Sequence, residues 1–263
     1  MGFLLAVQGA ASQGILWGVM SLGVFITFKV LDFPDLTVDG SFALGGAVGA
    51  VAVSSGVPPL LSLAFAFVCG TAAGTVTALL HTKLKIPAIL AGVLTMLALY
   101  SVNIRVMGGK ANIPLLGVAT LMRDVSAFTG WDKNISSLAS GAFFSVLIIA
   151  LLYWFFGTEI GASIRATGTN ERMMKAQGVN TDTMKLTGLA LANGLTALSG
   201  ALVAHAQGYA DVGMGTGAIV IALASIIIGD VLFGTHIAFW YTLAGVVLGS
   251  VVYRIIIAAV LQL

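Results

Sequence analysis

Five stretches of this chain, 3–30, 58–80, 87–106, 137–156 and 237–261, stay apolar for the length of about 20 residues that a helix needs to cross a bilayer. A sixth, 186–207, has that length despite Asn193 and His205. Two more, 39–54 and 216–233, are short and interrupted by glycine. In lipid every backbone N–H and C=O has to find a partner within the protein, so such segments fold as helices. Long apolar runs without alternating polar residues exclude a transmembrane β-barrel. Charged residues are 8% of the chain, against about 25% in a soluble protein, too few for a solvated shell. The expected fold is therefore all-α: one transmembrane domain over 1–263, a bundle of six to eight spans with two broken or re-entrant short helices. The opening MGFLLAVQ has no basic leader or cleavage pattern and reads as an uncleaved first span.

A net charge of +2 without a Lys/Arg run gives no sign of a nucleic-acid partner. The single cysteine, Cys69, rules out a disulfide framework and reads as a packing residue. No nucleophile–base pair stands out, and no histidine has a second ligand at metal-binding spacing, so neither a catalytic nor a metal site is expected. The 33 glycines include i, i+4 pairs at 14/18, 45/49, 70/74, 213/217 and 245/249, which suit close helix packing within a bundle or between two copies.

The polar residues lie between spans. Basic residues are denser in 81–86 and 157–185 than in 105–136, which favours the first two loops on the cytoplasmic side. The two halves echo one another. Spans 3–30 and 186–207 each lead into an Asp/Gly-rich break, then a short helix, then a long span. The breaks read DFPDLTVDG (32–40) and GYADVGMGTG (208–217). Paired interrupted segments in corresponding positions point to a transport site near mid-membrane, whereas two ordinary surface loops would read the same way. If both short segments are re-entrant the termini are cytoplasmic; if both cross, the termini lie outside.

Ionisable groups at membrane depth face a cavity, pair with each other, or cap a helix. Asp32 and Asp35 are candidates either for receiving a solute's ammonium group or for holding the broken loop, and Asp211 is a candidate for the substrate pathway. Asp39 is a candidate either for the N-cap of the helix 40–54 or for the substrate pathway, and Asp230 for a helix end. Asn193 and His205, twelve residues apart on one span, are too distant to share a ligand; each reads as a helix-to-helix hydrogen bond or as part of the pathway. Phe42, with Trp17, Phe25, Phe28 and Phe33, lines an aromatic pocket or simply packs.

The loop 157–185 holds the densest charge. Thr169 or Asn170 can cap a short helix that stops at Gly178. Its surface, with Met173 and Met174, suits either docking of a soluble partner or a solvated connector. In order, Gly161, Arg165, Ala166, Gly178, Val179 and Asn180 resemble the cytoplasmic coupling loop of permease subunits of ATP-binding-cassette importers, of the branched-chain amino acid and ribose type. DFPDLTVDGSF at 32–42 resembles that family's first-half loop, departing from it in its three aspartates and Pro34. With HTKLKIPAILAGVLTMLALYS at 81–101, it looks like a branch of uncharacterised or aromatic amino acid importers.

The resemblance implies an energy-coupled importer with a second permease copy, two ABC ATPase subunits, and an extracytoplasmic solute-binding protein, in the inner membrane of a bacterium. It places Arg165, Thr169, Asn170, Glu171, Arg172, Met174 and Gly178 at the ATPase contact, with Arg165 bracing the loop. Gly108-Gly109-Lys110-Ala111 lacks the upstream glycine and the Ser/Thr of a P-loop, so ATP is expected on the ATPase and this chain needs no cofactor. An ion-coupled secondary transporter or a passive channel is the alternative.

Overall fold

The computed structural model describes residues 2–234 and 238–261. They form α1 (Gly2–Phe25), continued by a π-helical turn (Ile26–Val30), then α2 (Thr37–Ser54), α3 (Pro59–Thr82) and α4 (Ala88–Val106). A short strand β1 (Asn112–Pro114) and α5 (Leu121–Thr129) precede α6 (Lys133–Gly157). The small helices α7 (Glu159–Thr169) and α8 (Glu171–Ala176) lead into α9 (Thr181–Gln207). The chain closes with β2 (Tyr209–Asp211), α10 (Ala218–Phe233) and α11 (Phe239–Val260). Among the described residues seven helices are long and apolar enough to cross a membrane. The eighth, α10, has 16 residues.

Packing contacts orient these helices. Gly14 lies against Ser250 and Val251, Gly18 against Val247, and Phe25 stacks on Phe239, so α11 runs antiparallel to α1. Gly74 meets Leu189, Gly70 meets Asn193, and Ser62 meets His205, so α3 runs antiparallel to α9. Gly45 meets Ala197 and Gly49 meets Ala201, so α2 runs parallel to α9. The first helix of each half thus packs against the third helix of the other, which is the two-fold echo expected from the sequence.

Neither short helix doubles back. The segment after α1 returns inward, because Asp35 reaches Asn193, twelve residues and about 18 Å along α9 from Thr181. From there α2 continues to the opposite face. After β2 the chain likewise dips inward: Met214 packs over Gly46 and Gly215 lies on the Asp39 backbone. Then α10 runs on until Asp230 meets Lys29 at the end of α1. Both segments complete a crossing, each as a short irregular stretch followed by a helix. This excludes the re-entrant alternative and puts the start of α1 and the end of α11 on the face away from α7 and α8. Irregular backbone at depth is tolerated because protein surrounds it.

The breaks have local causes. The π-turn lets Leu31 N and Phe33 N donate to Ile26 O and Thr27 O, unwinding α1. Asp32 then adopts φ +51°, a left-handed conformation that Asp tolerates better than most residues. Pro58 and Pro87 stand before α3 and α4. Outside the lipid-length helices, β1 and β2 pair antiparallel with Asn112 opposite Asp211, an element the all-helical expectation did not include.

Four of the five glycine pairs sit at helix contacts within this chain, so none is left to mark a face between two copies. The pair at 213/217 lies in the turn before α10 instead. Gly45 has the Ala197 backbone directly over its missing side chain. Gly45→Val is expected to force α2 off α9 at a cost of about 1–3 kcal/mol or more, read as an earlier thermal unfolding midpoint in detergent.

Candidate functional site: two broken crossings and a membrane-face helix

At the centre of the bundle, Asn193 joins both halves. Its Nδ2 donates to Asp35 Oδ2 at 2.7 Å and to Leu189 O at 3.0 Å, while its Oδ1 accepts from Ser41 Oγ at 2.7 Å. Asp35 Oδ1 accepts from Thr37 N at 2.9 Å, capping the start of α2. Thr37 Oγ1 pairs with Thr77 Oγ1 on α3 at 2.7 Å. Asp35, Ser41 and Asn193 have no exposed surface. The Asp35 carboxylate is therefore engaged on both oxygens and holds the first break, leaving no face for a solute in this conformation. Phe42 is equally buried, stacked on Trp17 with centroids 4.7 Å apart, so it packs α2 on α1 rather than lining an open pathway.

Asp39 does something the sequence did not indicate. It stands within the first turn of α2 rather than before it, so it is not that helix's N-cap. Its carboxylate accepts from Gly217 N at 3.0 Å and Ile219 N at 2.9 Å, which makes it the cap of α10, some 180 residues away. A helix start leaves four N–H groups without intrahelical partners and carries positive potential, so an acid there satisfies donors and is itself stabilised. One side chain thus fixes the start of one broken helix to the start of the other. Asp39 also borders a cleft of about 210 Å³ with Met96, Tyr100 and Asn103 of α4 and Thr216.

The remaining candidates lie elsewhere. His205 is 1% exposed, with Nε2 3.3 Å from Ser62 Oγ, and packs the far end of α9 against α3. Asp211 is in β2 on that same far face, where Oδ1 accepts from Gly213 N at 2.8 Å and shapes the turn into the second dip. Asp32 is exposed on the opposite face, in a cleft it shares with Asn170, Glu171 and Arg172. The acids therefore occupy separate places, and only Asp39 stands both at depth and beside an open cleft. Asp230 pairs with Lys29, closing α10 against the end of α1.

At the face bearing 157–185, α7, α8 and the start of α9 each have a side-chain cap. Thr158 Oγ1 accepts from Gly161 N, Asn170 Oδ1 accepts from Met173 N at 3.0 Å, and Asn180 Oδ1 accepts from Asp182 N and Thr183 N. Gly178, at φ +83°, ends α8 in the left-handed conformation that glycine adopts without strain. Arg165 donates to Phe156 O at 2.9 Å and stacks over Phe239, tying α7 to α6 and α11. The Thr169 hydroxyl donates to Arg165 O.

Met174 is 5% exposed and serves as the inward anchor of α8, contrary to its reading as part of a docking surface; Met173 is the methionine displayed. Periodicity is a weak guide in a helix of six residues. Glu171 also turns inward. Its two oxygens take Lys175 and Lys185, each at 2.8 Å, and Thr181 Oγ1 donates to it as well. These hydrogen bonds from Lys175 and Lys185 hold its carboxyl down at about 2. Arg172 is left exposed beside Met173.

Lys185 carries the connection inward, standing 3.5 Å from His81 Nε2. His81 Nδ1 lies 2.8 Å from Ile86 O, which can only accept, so Nδ1 bears the proton and Nε2 is free to accept from Lys185. Phe33 packs edge-on against the same ring, centroid to centroid 5.0 Å. One continuous chain of contacts thus links α8 to α9, to the end of α3 and to the first break. Lys29, His81, Lys185 and Asn103 were not singled out by the sequence reading. The available signal was their position, a polar residue within or just at the end of an apolar stretch.

Residues 6–263 match the family described as branched-chain amino acid transport system / permease component. The chain is 39% identical over 243 residues to the tyrosine transport system permease protein of Clostridioides difficile, covering 92% of this chain and 79% of that one. It is 32% identical to an uncharacterised protein of Rickettsia prowazekii, over 87% of this chain and 78% of that one. It is 27% identical to the ribose import permease protein of Escherichia coli K12, over 84% of this chain and 66% of that one. A multi-pass helix bundle, a broken crossing in each half, and a match over nearly its whole length identify this chain as a member of that family: a permease of an ATP-binding-cassette importer for a small solute, with ATP hydrolysis on a separate subunit.

Proposed function

We propose that this permease imports an amino acid, with an aromatic side chain favoured, across a bacterial cytoplasmic membrane, working as a pair of identical copies. Two ATPase subunits dock on α8, and a solute-binding protein docks on the opposite face, over β1, β2 and α5. ATP is bound by the ATPase, and this chain carries no cofactor of its own. The observation that carries the reading is the build of α8. It is capped at both ends, anchored inward through Met174 and Glu171, and displays Arg172 and Met173 outward. A helix so supported moves with the bundle when a partner pushes on it, whereas a mere connector needs no such backing. The aromatic preference comes from the relative whose name specifies tyrosine transport. By the positive-inside rule, the α8 face, which gathers more of the Lys and Arg, is cytoplasmic.

The test is reconstitution in proteoliposomes with and without a cognate ATPase and binding protein, following labelled tyrosine and ATP hydrolysis together. Uptake is expected only with ATPase and ATP. The pair Arg172→Glu with Met173→Glu is expected to lower uptake at least tenfold and to release the ATPase in co-purification, without altering the unfolding midpoint. Uptake that proceeds without the ATPase would instead make this an ion-coupled or passive transporter. Undiminished coupled uptake by the double variant would remove α8 as the docking element.

A further inference from the structure

The cleft beside Asp39 holds a group that its own protein leaves unsatisfied. Asn103 is 1% exposed, and its Nδ2 donates to Gly40 O at 3.3 Å, which turns Oδ1 the other way. Among the described residues Asn103 Oδ1 has no partner. A buried acceptor without a donor costs about 1–3 kcal/mol, and native proteins rarely carry one without a use for it.

The surroundings define what would satisfy it. Asn103 lines the same cleft as Asp39, whose oxygens each accept one backbone N–H and retain lone pairs, since a carboxylate accepts up to about four hydrogen bonds. Among the described residues no Lys, Arg or His lines the cleft, so its polar character is that of acceptors. Met96 and the half-exposed Tyr100 supply apolar and aromatic walls, and the exposed Thr216 stands at the dip leading into α10. At about 210 Å³ the cleft is smaller than the roughly 300–1,000 Å³ of a drug-sized site, a fit for one end of a small molecule. It also lies where the two broken crossings meet, so any shift of α10 against α2 changes its shape.

We propose that this cleft is the membrane-embedded contact point for the solute, with the outer lone pairs of Asp39 receiving a protonated amino group and Asn103 Oδ1, sealed in this conformation, joining them as α10 shifts against α2, while Tyr100 and Met96 flank the rest of the molecule. The inference rests on the amino acid reading above and adds to it the group recognised and the residues that recognise it. A passing solute needs a weak site, and one unpaired amide oxygen beside a carboxylate already shared with a helix start gives contact without a trap.

The experiment uses the complete complex in proteoliposomes. Asn103→Leu keeps the size of the side chain and removes the acceptor; Asn103→Asp keeps an acceptor. Tyrosine uptake is expected to fall about tenfold in Asn103→Leu and to stay within about threefold of the parent in Asn103→Asp, with basal ATP hydrolysis unchanged in both. As an independent readout, Thr216→Cys in a Cys69→Ala background is labelled with a cationic methanethiosulfonate reagent. An excess of tyrosine is expected to slow labelling, and the same excess of its deaminated analogue to leave the rate unchanged. Equal uptake by Asn103→Leu and the parent, or equal loss in Asn103→Leu and Asn103→Asp, overturns the proposal, as does labelling indifferent to tyrosine. A parent complex that imports no amino acid at all instead sinks the amino acid reading, a separate result visible before any variant is tested.

Discussion

Asn193→Leu is expected to lower the thermal unfolding midpoint of the purified permease by about 6–12 °C, for a loss of roughly 3–5 kcal/mol. The expectation follows from what the amide does. It donates to Asp35 Oδ2 and accepts from Ser41 Oγ, and all three groups are sealed from solvent. Each buried group deprived of its partner costs about 1–3 kcal/mol, more when it is charged, and leucine strands two of them at once. Asp35→Asn is expected to be almost as harmful despite its matching shape. Whichever way the new amide turns, its Nδ2 faces a donor, Asn193 Nδ2 or Thr37 N, and Asn193 cannot turn over because its Nδ2 donates to Leu189 O, which can only accept. The double variant Asp35→Ala with Asn193→Ala should lose less than the sum of the single losses, with a coupling of about 1–3 kcal/mol. Additive losses would show that the two side chains act independently and that the first break is held by something else.

That network also shows where sequence reasoning succeeds and where it stops. The spans were legible because lipid allows few alternatives: length and apolarity fix a helix once water is excluded. The breaks were legible because Asp, Gly and Pro in an apolar chain mark places where the helix cannot continue. Asn193 and His205 could be read as helix-to-helix contacts because polar groups at depth need partners, and the structure supplies Ser41 and Asp35 for one and Ser62 for the other.

The identity of partners was a different matter. Asp39 looked like the cap of the helix beside it, since local spacing permits that, yet it caps α10. Only the inward dip of 212–217 brings Gly217 within reach, and no local pattern encodes a dip. Asn103 lay unnoticed inside an apolar run because one amide barely alters hydropathy. The inward faces of Met174 and Glu171 are hidden for a related reason: in so short a helix, the inward face is set by the neighbouring α9, not by any period of its own.

The inward turn of Glu171 sets the second large expectation. Glu171→Lys should lower ATP-coupled uptake by at least tenfold, because it brings three ammonium groups together where Lys175 and Lys185 now share one carboxylate. Lys185 would be driven off α8 and the contact with His81 disturbed, so movement of α8 would no longer reach α3 or the first break. ATP hydrolysis should persist while transport per ATP falls, since Arg172 and Met173 remain outward for the partner. Glu171→Gln, whose single oxygen can still accept from Lys185 Nζ while its amide nitrogen turns to the Thr181 hydroxyl, should keep uptake within about threefold of the parent. The pH dependence follows from the carboxyl, held at about 2 in the folded chain against an ordinary 4.5. A depressed acid stabilises the folded state fully above its unfolded value and loses that contribution as pH falls from about 4.5 towards 2. The α8 anchor should therefore be indifferent to pH between about 5 and 8, and any acid sensitivity of uptake in that window has to come from another group. If Glu171→Lys kept a normal ratio of solute moved to ATP consumed, the Glu171–Lys185–His81 line would be ornament, and force would have to enter the bundle through Arg165 and α7, whose contacts with Phe156 and Phe239 are then the ones to cut.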